Sequence, residues 1–251
     1  MGVVEMVSRP EAILLDMDDT IIAFEHGVDV DACWIQVCGK HLKTIDSGAV
    51  QELVHAIKAQ AKWYWSDAER HRDGRMDLTA ARTRIIDAAL HDLSFSSSRD
   101  SSVSRAIAQD YGQVRNEAIY LYNDAIETIR HIRSLGIKLA LLTNGTSAEQ
   151  RYKIERFNLA PLFDQILIEQ EVGIGKPDPR VYLHALELLG GVEPEFAWMV
   201  GDNYEWEITA PQRLGIRGVW INHKRPLLDP SPDAAPYQSI TTLSELRNLL
   251  D

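Results

Sequence analysis

The chain has 251 residues, of which 45% are apolar and 25% are charged. This length and composition are typical of a folded protein with one large domain or two modest ones, and its core needs no structural metal or disulfide. Acidic residues outnumber basic ones by 37 to 26, for a net charge of −11. So acidic a chain argues against nucleic acid and membrane as partners, although a local cation can still hold a phosphorylated small molecule.

The sequence carries no recognisable targeting or membrane signal. No apolar run approaches the ~18 residues of a membrane span. The N-terminus lacks the basic start and apolar stretch of a secretory signal. Cys33 and Cys38 lie five residues apart without a Cys-x-x-Cys pattern, which favours two free thiols in a reducing compartment. We therefore expect a cytoplasmic protein.

The first predicted element is a short buried strand from Ala12 to Leu15, which ends at Asp16. From about residue 29 to residue 119 the pattern becomes helical, with apolar residues recurring on one face and no convincing strand. The serine-rich segment from Ser94 to Ser104 is predicted to be a loop that interrupts these helices.

After Tyr122 the pattern alternates between helices and strands. A helix that begins near Ala125 is predicted to stop at Gly136. A capping box from Thr146 to Glu149 and an Asp178-Pro179 pair predict the starts of two more helices, the second ending at Gly190. Buried strands are predicted at 138–142, 165–168, 197–200 and 218–221, and a proline-rich extended connection at 223–238.

Strands that alternate with helices predict a mainly parallel sheet with right-handed crossovers. We therefore expect an α/β fold with a Rossmann-like parallel sheet, helices on both of its faces, and an inserted all-helical domain. The predicted core comprises residues 1–21 and 122–251, and the insertion comprises residues 22–121.

Polar residues follow several of the predicted strands, and the carboxyl ends of parallel strands share one edge of a sheet. Carboxylates placed close together repel, so they need a cation, and oxygen-only ligands favour Mg²⁺. Such an ion beside a lysine would trap a phosphate group. An aspartate there can attack phosphorus, and a second carboxyl two residues on can act as general acid and base. The residues concerned are Asp16, Asp18, Thr143, Asn144, Lys176, Asp202 and Glu207.

These segments resemble, in the usual order, the four motifs of the haloacid dehalogenase-like (HAD) hydrolase superfamily. The matching stretches are Asp16-Met17-Asp18-Asp19-Thr20, Thr143-Asn144-Gly145, Gly175-Lys176-Pro177 and Gly201-Asp202-Asn203. Each motif is weak alone, but four in order at strand ends are specific. The resemblance spans roughly residues 11–222, and the helical insertion resembles the cap domain of the first subfamily.

The resemblance implies a Mg²⁺-dependent phosphatase that forms an aspartyl phosphate on a small phosphorylated metabolite. It assigns the nucleophile to Asp16 and the general acid and base to Asp18. Phosphate binding and charge stabilisation fall to Thr143, Asn144 and Lys176. Magnesium would be held by Asp16, Asp18, Asp202 and Glu207, the last of these through a bound water. We expect a monomer or a homodimer.

The fourth motif departs from the family pattern, because Trp206 replaces a small polar residue and Glu207 stands where aspartate is usual. This departure leaves open a catalytically weak binding protein. A phosphotransferase or phosphomutase on the same intermediate is the main alternative. A haloacid dehalogenase is disfavoured by Asp18, since a halide leaving group needs no proton.

Some prominent residues are expected to be structural. Asp19 is predicted to be a solvated or turn residue and Glu205 an acid at a helix N-terminus. The run Trp63-Tyr64-Trp65 cannot share one helical face. One ring should therefore pack inside the helical domain, and the others should lie at a contact with the core domain or with another subunit.

Overall fold

The computed structural model describes residues 9–43, 46–94, 101–223 and 235–251. The chain divides into two compact units. The first contains the residues up to His26 together with Tyr120–Asp251, and the second contains Gly27–Ile119. The second unit is thus an insertion into the first.

Within the described ranges, the strands all lie in the first unit. In chain order they are β1 (Ala12–Leu15), β2 (Ile22–Ala23), β3 (Tyr120–Leu121), β4 (Lys138–Thr143), β5 (Gln165–Ile168), β6 (Ala197–Gly201), β7 (Arg217–Ile221) and β8 (Gln238–Ile240). Six of these described strands form a sheet in the order β5-β4-β1-β6-β7-β8. Every pairing in this sheet is parallel, which confirms the predicted sheet type. Strands β2 and β3 form a separate antiparallel pair.

The helices alternate with the strands of the first unit and make up the described part of the second. Those of the second unit are α1 (Val30–His41), α2 (Ser47–Trp65), α3 (Ala68–Gly74), α4 (Leu78–Asp92) and α5 (Ser101–Ala118). Those of the first unit are α6 (Ala125–Ser134), α7 (Ser147–Arg156), α8 (Glu169–Val172), α9 (Pro179–Leu188), α10 (Ala210–Gln212) and α11 (Glu245–Leu250). No helix in the described ranges is both long and apolar enough to cross a membrane.

The central strands are apolar on both faces because both faces are covered. All four residues of β1 are fully buried. Leu14 packs in a cluster with Val181 and Leu186 of α9, while Ile13 and Leu15 point to the opposite face of the sheet. A continuous apolar run is the pattern expected of a parallel strand between two helical layers.

The local signals at the helix ends behave as predicted. The Thr146 hydroxyl accepts the N–H of Glu149 at the start of α7, and the Asp178 carboxylate accepts the N–H of Arg180 at the start of α9. Gly136 and Gly190, which follow α6 and α9, have φ angles of 79° and 94°. Glycine takes up this left-handed conformation without the steric cost of a Cβ.

The second unit has its own apolar core. The ring centroids of Trp34 and Tyr111 lie 3.5 Å apart in a stacked pair within it. Tyr64 is buried in this core, as predicted for one ring of the aromatic run, while Trp63 is 59% exposed. Four helices begin with an aspartate whose carboxylate accepts backbone N–H groups of the first turn: Asp29, Asp46, Asp67 and Asp77.

The structure corrects the sequence prediction in two places. Helix α5 already begins at Ser101, so the loop predicted from Ser101 to Ser104 is wrong. Ser104 is fully buried, because packing of the helix determines its position. The pair β2–β3 and strand β8 were not predicted, because segments of two or three residues carry too little periodicity. Most of the proline-rich segment predicted as an extended connection, residues 224–234, lies outside the described residues.

Replacing Leu14 with alanine tests the packing of β1 against α9. We expect the free energy of unfolding to fall by about 3 kcal/mol, the scale for a leucine removed from a packed core. Urea denaturation followed by circular dichroism measures it. Leu183→Ala is the matched control, because Leu183 is 44% exposed on α9. A cost for Leu14→Ala no larger than that of the control would contradict the packing described.

Candidate active site

The polar residues after β1, β4 and β6 lie together because these strands are adjacent and parallel. Leu15 stands opposite Leu141 of β4 on one side and Val200 of β6 on the other. The chain proceeds from β1 outwards to β4 and β5 and then crosses to β6, so the strand order reverses at β1. Ligand sites of open parallel sheets lie at the carboxyl end of such a reversal.

Asp16 lies at this point, directly after β1. Its backbone N–H donates to the carbonyl of Val200 at 3.0 Å, which continues the pairing with β6. The residue is only 8% exposed. Its carboxylate therefore requires a charged partner.

Lys176 provides that partner. Its Nζ lies 2.5 Å from Oδ1 of Asp16 and 2.8 Å from Oε1 of Glu207, and the side chain is 1% exposed. Burial by itself lowers the pKa of Lys176, but the neighbouring charges of Asp16 and Glu207 outweigh this effect and raise it. The lysine is therefore a permanent cation between two carboxylates.

Asn144 holds the backbone of this lysine. Its Nδ2 donates to the carbonyl of Lys176 at 2.7 Å, and its Oδ1 accepts the N–H of Lys176 at 2.9 Å. The Asn144 carbonyl in turn accepts Nε2 of Gln150 at 2.6 Å. Both ends of the Asn144 amide are thus engaged in positioning Lys176. This contact joins the end of β4 to the loop before α9, and the sequence does not reveal it.

Glu207 reaches Lys176 from a π-helical turn, Tyr204–Thr209, that follows β6. Its second oxygen, Oε2, accepts the N–H of Asn203 at 2.8 Å. A Cβ on Gly201 would lie 2.2 Å from Cγ of Glu207, so only glycine leaves room for this side chain. The acid that departs from the family pattern is therefore accommodated, and it pairs directly with the lysine.

The carboxylates exceed the cations in this part of the site. Burial raises the pKa of Asp202 to about 9, and repulsion from Asp16 and Glu207 adds to the rise. Burial raises the pKa of Glu207 to about 7 against the opposing attraction of Lys176, and it also raises that of Asp16. Three carboxylates share one ammonium, which is the charge surplus that a divalent cation would neutralise.

Asp18 forms an ion pair with a different lysine, Lys153. Nζ of Lys153, on α7, lies 2.8 Å from Oδ1 and 2.6 Å from Oδ2 of Asp18. Lys153 was not predicted as a site residue. The feature that could have indicated it is its position on the face of α7 that carries Gln150 and Ile154, which are buried. A lysine on a buried helix face requires a charged partner.

Asp19 is a turn residue, as predicted, although it is buried and not solvated. Its φ is 56°, and its Oδ1 accepts the N–H groups of Phe24, Glu25 and His26, each at 2.8 Å. In the described ranges, ligand atoms of Asp19, His26 and Asp202 lie within 4.8 Å of one another. The Asp19 carboxylate is therefore engaged by three backbone N–H groups at one edge of this cluster.

A cavity of about 150 Å³ lies over these groups. Six of the seven predicted site residues line it, and Lys176 lies behind them, bonded to Asp16. Glu205, predicted as a helix N-terminal acid, lies in the first turn of the π-helical segment and pairs with Arg213 at 3.1 Å. The lining residues are Asp16, Asp18, Asp19, Phe24, Glu25, Thr143, Asn144, Asp202, Asn203, Trp206 and Glu207.

Comparisons with known proteins agree with this architecture. A family model described as haloacid dehalogenase-like hydrolase matches residues 10–215. The phosphoserine phosphatase of Thermus thermophilus is 32% identical over 251 residues, covering 93% of this chain and 96% of that protein. The (S)-2-haloacid dehalogenase of Pseudomonas putida is 28% identical over 129 residues, covering 51% of this chain and 56% of that protein.

The fold also matches solved structures. The HAD-hydrolase YfnB of Bacillus subtilis, solved bound to magnesium, superposes with a TM-score of 0.74 at 20% identity, covering 97% of this chain and 100% of that one. The chain therefore belongs to the haloacid dehalogenase-like hydrolase family. It is an enzyme of the hydrolase class.

The acidic surplus predicts how the metal-free protein responds to pH. Because the pKa values of the Glu207 and Asp202 carboxyl groups are higher in the folded than in the unfolded chain, the protein takes up protons when it folds. Stability should therefore fall as the pH rises from about 4 towards the folded pKa values of Glu207, about 7, and Asp202, about 9. Between pH 7 and 9 we expect the melting temperature in EDTA to drop by about 2–4 °C per pH unit.

Thermal melts by circular dichroism measure this slope. Asp202→Asn should flatten it, because the variant removes the group that titrates highest. Excess Mg²⁺ should flatten it as well, because a cation favours the ionised form. A melting temperature that rises between pH 7 and 9 in EDTA would contradict the buried charge surplus.

Proposed function

We propose that the chain is a Mg²⁺-dependent phosphatase that hydrolyses small phosphorylated metabolites through an aspartyl phosphate on Asp16. The observation that carries this proposal is the pairing of Asp16 with Lys176 at the wall of a cavity that Asp18 also lines. A buried cation beside one carboxylate, with a second carboxyl two residues on, suits phosphoryl transfer to the first and proton transfer by the second.

In the first step, an oxygen of Asp16 attacks the phosphorus atom of the ester. The bond between phosphorus and the leaving oxygen breaks, and the leaving oxygen takes the proton of the Asp18 carboxyl group. The products of this step are an alcohol and the phosphorylated Asp16. The ammonium of Lys176, which lies 2.5 Å from Oδ1, opposes the effect of burial and favours the ionised form of Asp16 that attacks.

In the second step, Asp18 is a carboxylate and accepts a proton from water. The water oxygen attacks the phosphorus atom, and the bond between phosphorus and the Asp16 oxygen breaks. Inorganic phosphate leaves, Asp16 is regenerated as a carboxylate, and Asp18 again holds its proton. We assign to Thr143, which is buried and lines the cavity, the donation of its hydroxyl to a phosphoryl oxygen.

The donor set fits magnesium. Hard oxygen donors are available from the carboxylates of Asp16, Asp202 and Glu207 and from the backbone carbonyl of Asp18. The three carboxylates carry more negative charge than the single positive charge of Lys176 can neutralise. When bound, Mg²⁺ would neutralise charge on the phosphoryl oxygens. The Asp202 carbonyl accepts Nε1 of Trp220 at 2.9 Å, which holds this strand end in place.

The unit Gly27–Ile119 would act as a cap that selects the substrate. Phosphoserine is the first metabolite to test, because the Thermus relative is named for it. A phosphotransferase or phosphomutase would use the same intermediate and differ in its acceptor, which product trapping with an added alcohol distinguishes. Haloacid dehalogenation needs no proton donor, so Asp18 and its own lysine favour the phosphatase.

Replacing Asp16 with asparagine should abolish turnover of p-nitrophenyl phosphate, by at least about 10³-fold in kcat, because the amide cannot form the covalent intermediate. Asp31→Asn is the matched control. Asp31 is an exposed aspartate paired with Lys58 in the second unit, and its loss should leave the rate unchanged. Undiminished hydrolysis by the Asp16 variant would remove it as nucleophile.

Chelation tests the metal. We expect EDTA to reduce the rate of p-nitrophenyl phosphate hydrolysis by about 100-fold or more, and Mg²⁺ added in excess of the EDTA to restore it. Asp202→Asn should raise the Mg²⁺ concentration required for half-maximal activity. Full activity after exhaustive chelation would refute the metal requirement.

A further inference from the structure

The ammonium of Lys153 occupies a position that packing does not explain. The side chain is 4% exposed, on the face of α7 that also buries Gln150 and Ile154. Burying an ammonium group is costly unless a charged partner compensates it. A leucine or methionine would fill the same space without that cost, so the lysine requires an electrostatic reason.

Its contacts supply the reason. Nζ lies within 2.8 Å of both carboxylate oxygens of Asp18 and 4.1 Å from the ring centroid of Phe24. The Phe24 ring closes one side of the ammonium and also lines the cavity. The cation therefore faces one carboxylate, and that carboxylate lines the candidate active site.

The two buried lysines of the site are divided between the two aspartates. Lys176 bonds Asp16 and Glu207, while Lys153 bonds Asp18. The Asp18 side chain is 26% exposed, so without a partner its carboxyl group could rotate towards water. A two-point contact with an ammonium carried by a packed helix restricts that rotation in the ionised form. When Asp18 is protonated, one of its oxygens can keep this contact while the O–H group faces the cavity.

We propose that Lys153 is a positioning residue for Asp18 and aims its carboxyl group at the oxygen of the leaving group. This inference rests on the proposed phosphatase function. Proton transfer requires the acid to lie within hydrogen-bond reach of the departing oxygen, so loss of orientation lowers its rate. Lys153 itself needs no contact with the substrate.

The role has a signature that loss of stability would not produce. A p-nitrophenolate leaving group is weakly basic and departs without a proton, whereas the alkoxide of an alkyl phosphate requires one. The value of kcat/KM reports the steps up to departure of the leaving group. A misplaced Asp18 should therefore reduce kcat/KM for an alkyl phosphate far more than for the aryl phosphate.

The experiment compares phosphoserine, or the best alkyl phosphate found, with p-nitrophenyl phosphate. For Lys153→Met we expect kcat/KM to fall about 30- to 100-fold on the alkyl ester and less than about 3-fold on the aryl ester, within the range of general acid catalysis. Lys153→Arg, which keeps the charge, should recover most of the alkyl activity. Lys58→Met is the matched control, because Lys58 bonds both oxygens of Asp31 at the surface.

A double-mutant cycle with Asp18→Asn provides an independent measurement. If Lys153 acts through Asp18, Lys153→Met should cause no further loss of alkyl activity in the Asp18→Asn background. The cycle can also be run with Lys153→Gln if the methionine variant does not fold, as thermal melts will show.

Equal losses on the two esters, or additive losses in the cycle, would overturn the positioning role while leaving the phosphatase intact. A wild-type chain that hydrolyses neither ester in Mg²⁺ would instead overturn the proposed function, and the positioning role with it.

Discussion

The site depends on one buried interaction, the ammonium of Lys176 held between the carboxylates of Asp16 and Glu207. All three residues are less than a tenth exposed. Buried charges are tolerated only when each is paired, so the loop that carries Lys176, the end of β1 and the turn after β6 must occupy fixed relative positions. Asn144 secures the lysine backbone from β4, and Gly201 makes room for the longer acid at position 207.

Charge is distributed unevenly around this interaction. On the inner side, Asp202 adds a third carboxylate to one lysine, which leaves a surplus that suits a divalent ion. On the outer side, Asp18 forms an ion pair with a separate lysine, Lys153. In the proposed reaction, this arrangement would separate a metal-assisted nucleophile from an oriented proton carrier, although both aspartates follow the same strand.

The sequence predicted the central elements well because each has a strong local signal. The four apolar residues before Asp16 form β1 as expected, and the Gln165–Ile168 strand also matches. Caps at Thr146 and Asp178 place α7 and α9. The serine-rich segment 101–104 was predicted as a loop but begins helix α5. Serine favours both loops and helix starts, and packing of the helix decides between these two structures.

Residue identity and order in the chain determined the fold class, the family and the set of candidate site residues. The motif resemblance already assigned charge stabilisation to Lys176, but only the tertiary structure decided that Glu207 shares this lysine with Asp16 and that Lys153 pairs with Asp18. Lys176 lies 160 residues from Asp16 and Lys153 lies 135 residues from Asp18, and no periodicity or spacing connects such pairs. An ion pair is set by distance in space and by exclusion of water, and both exist only after the sheet and its helices have packed.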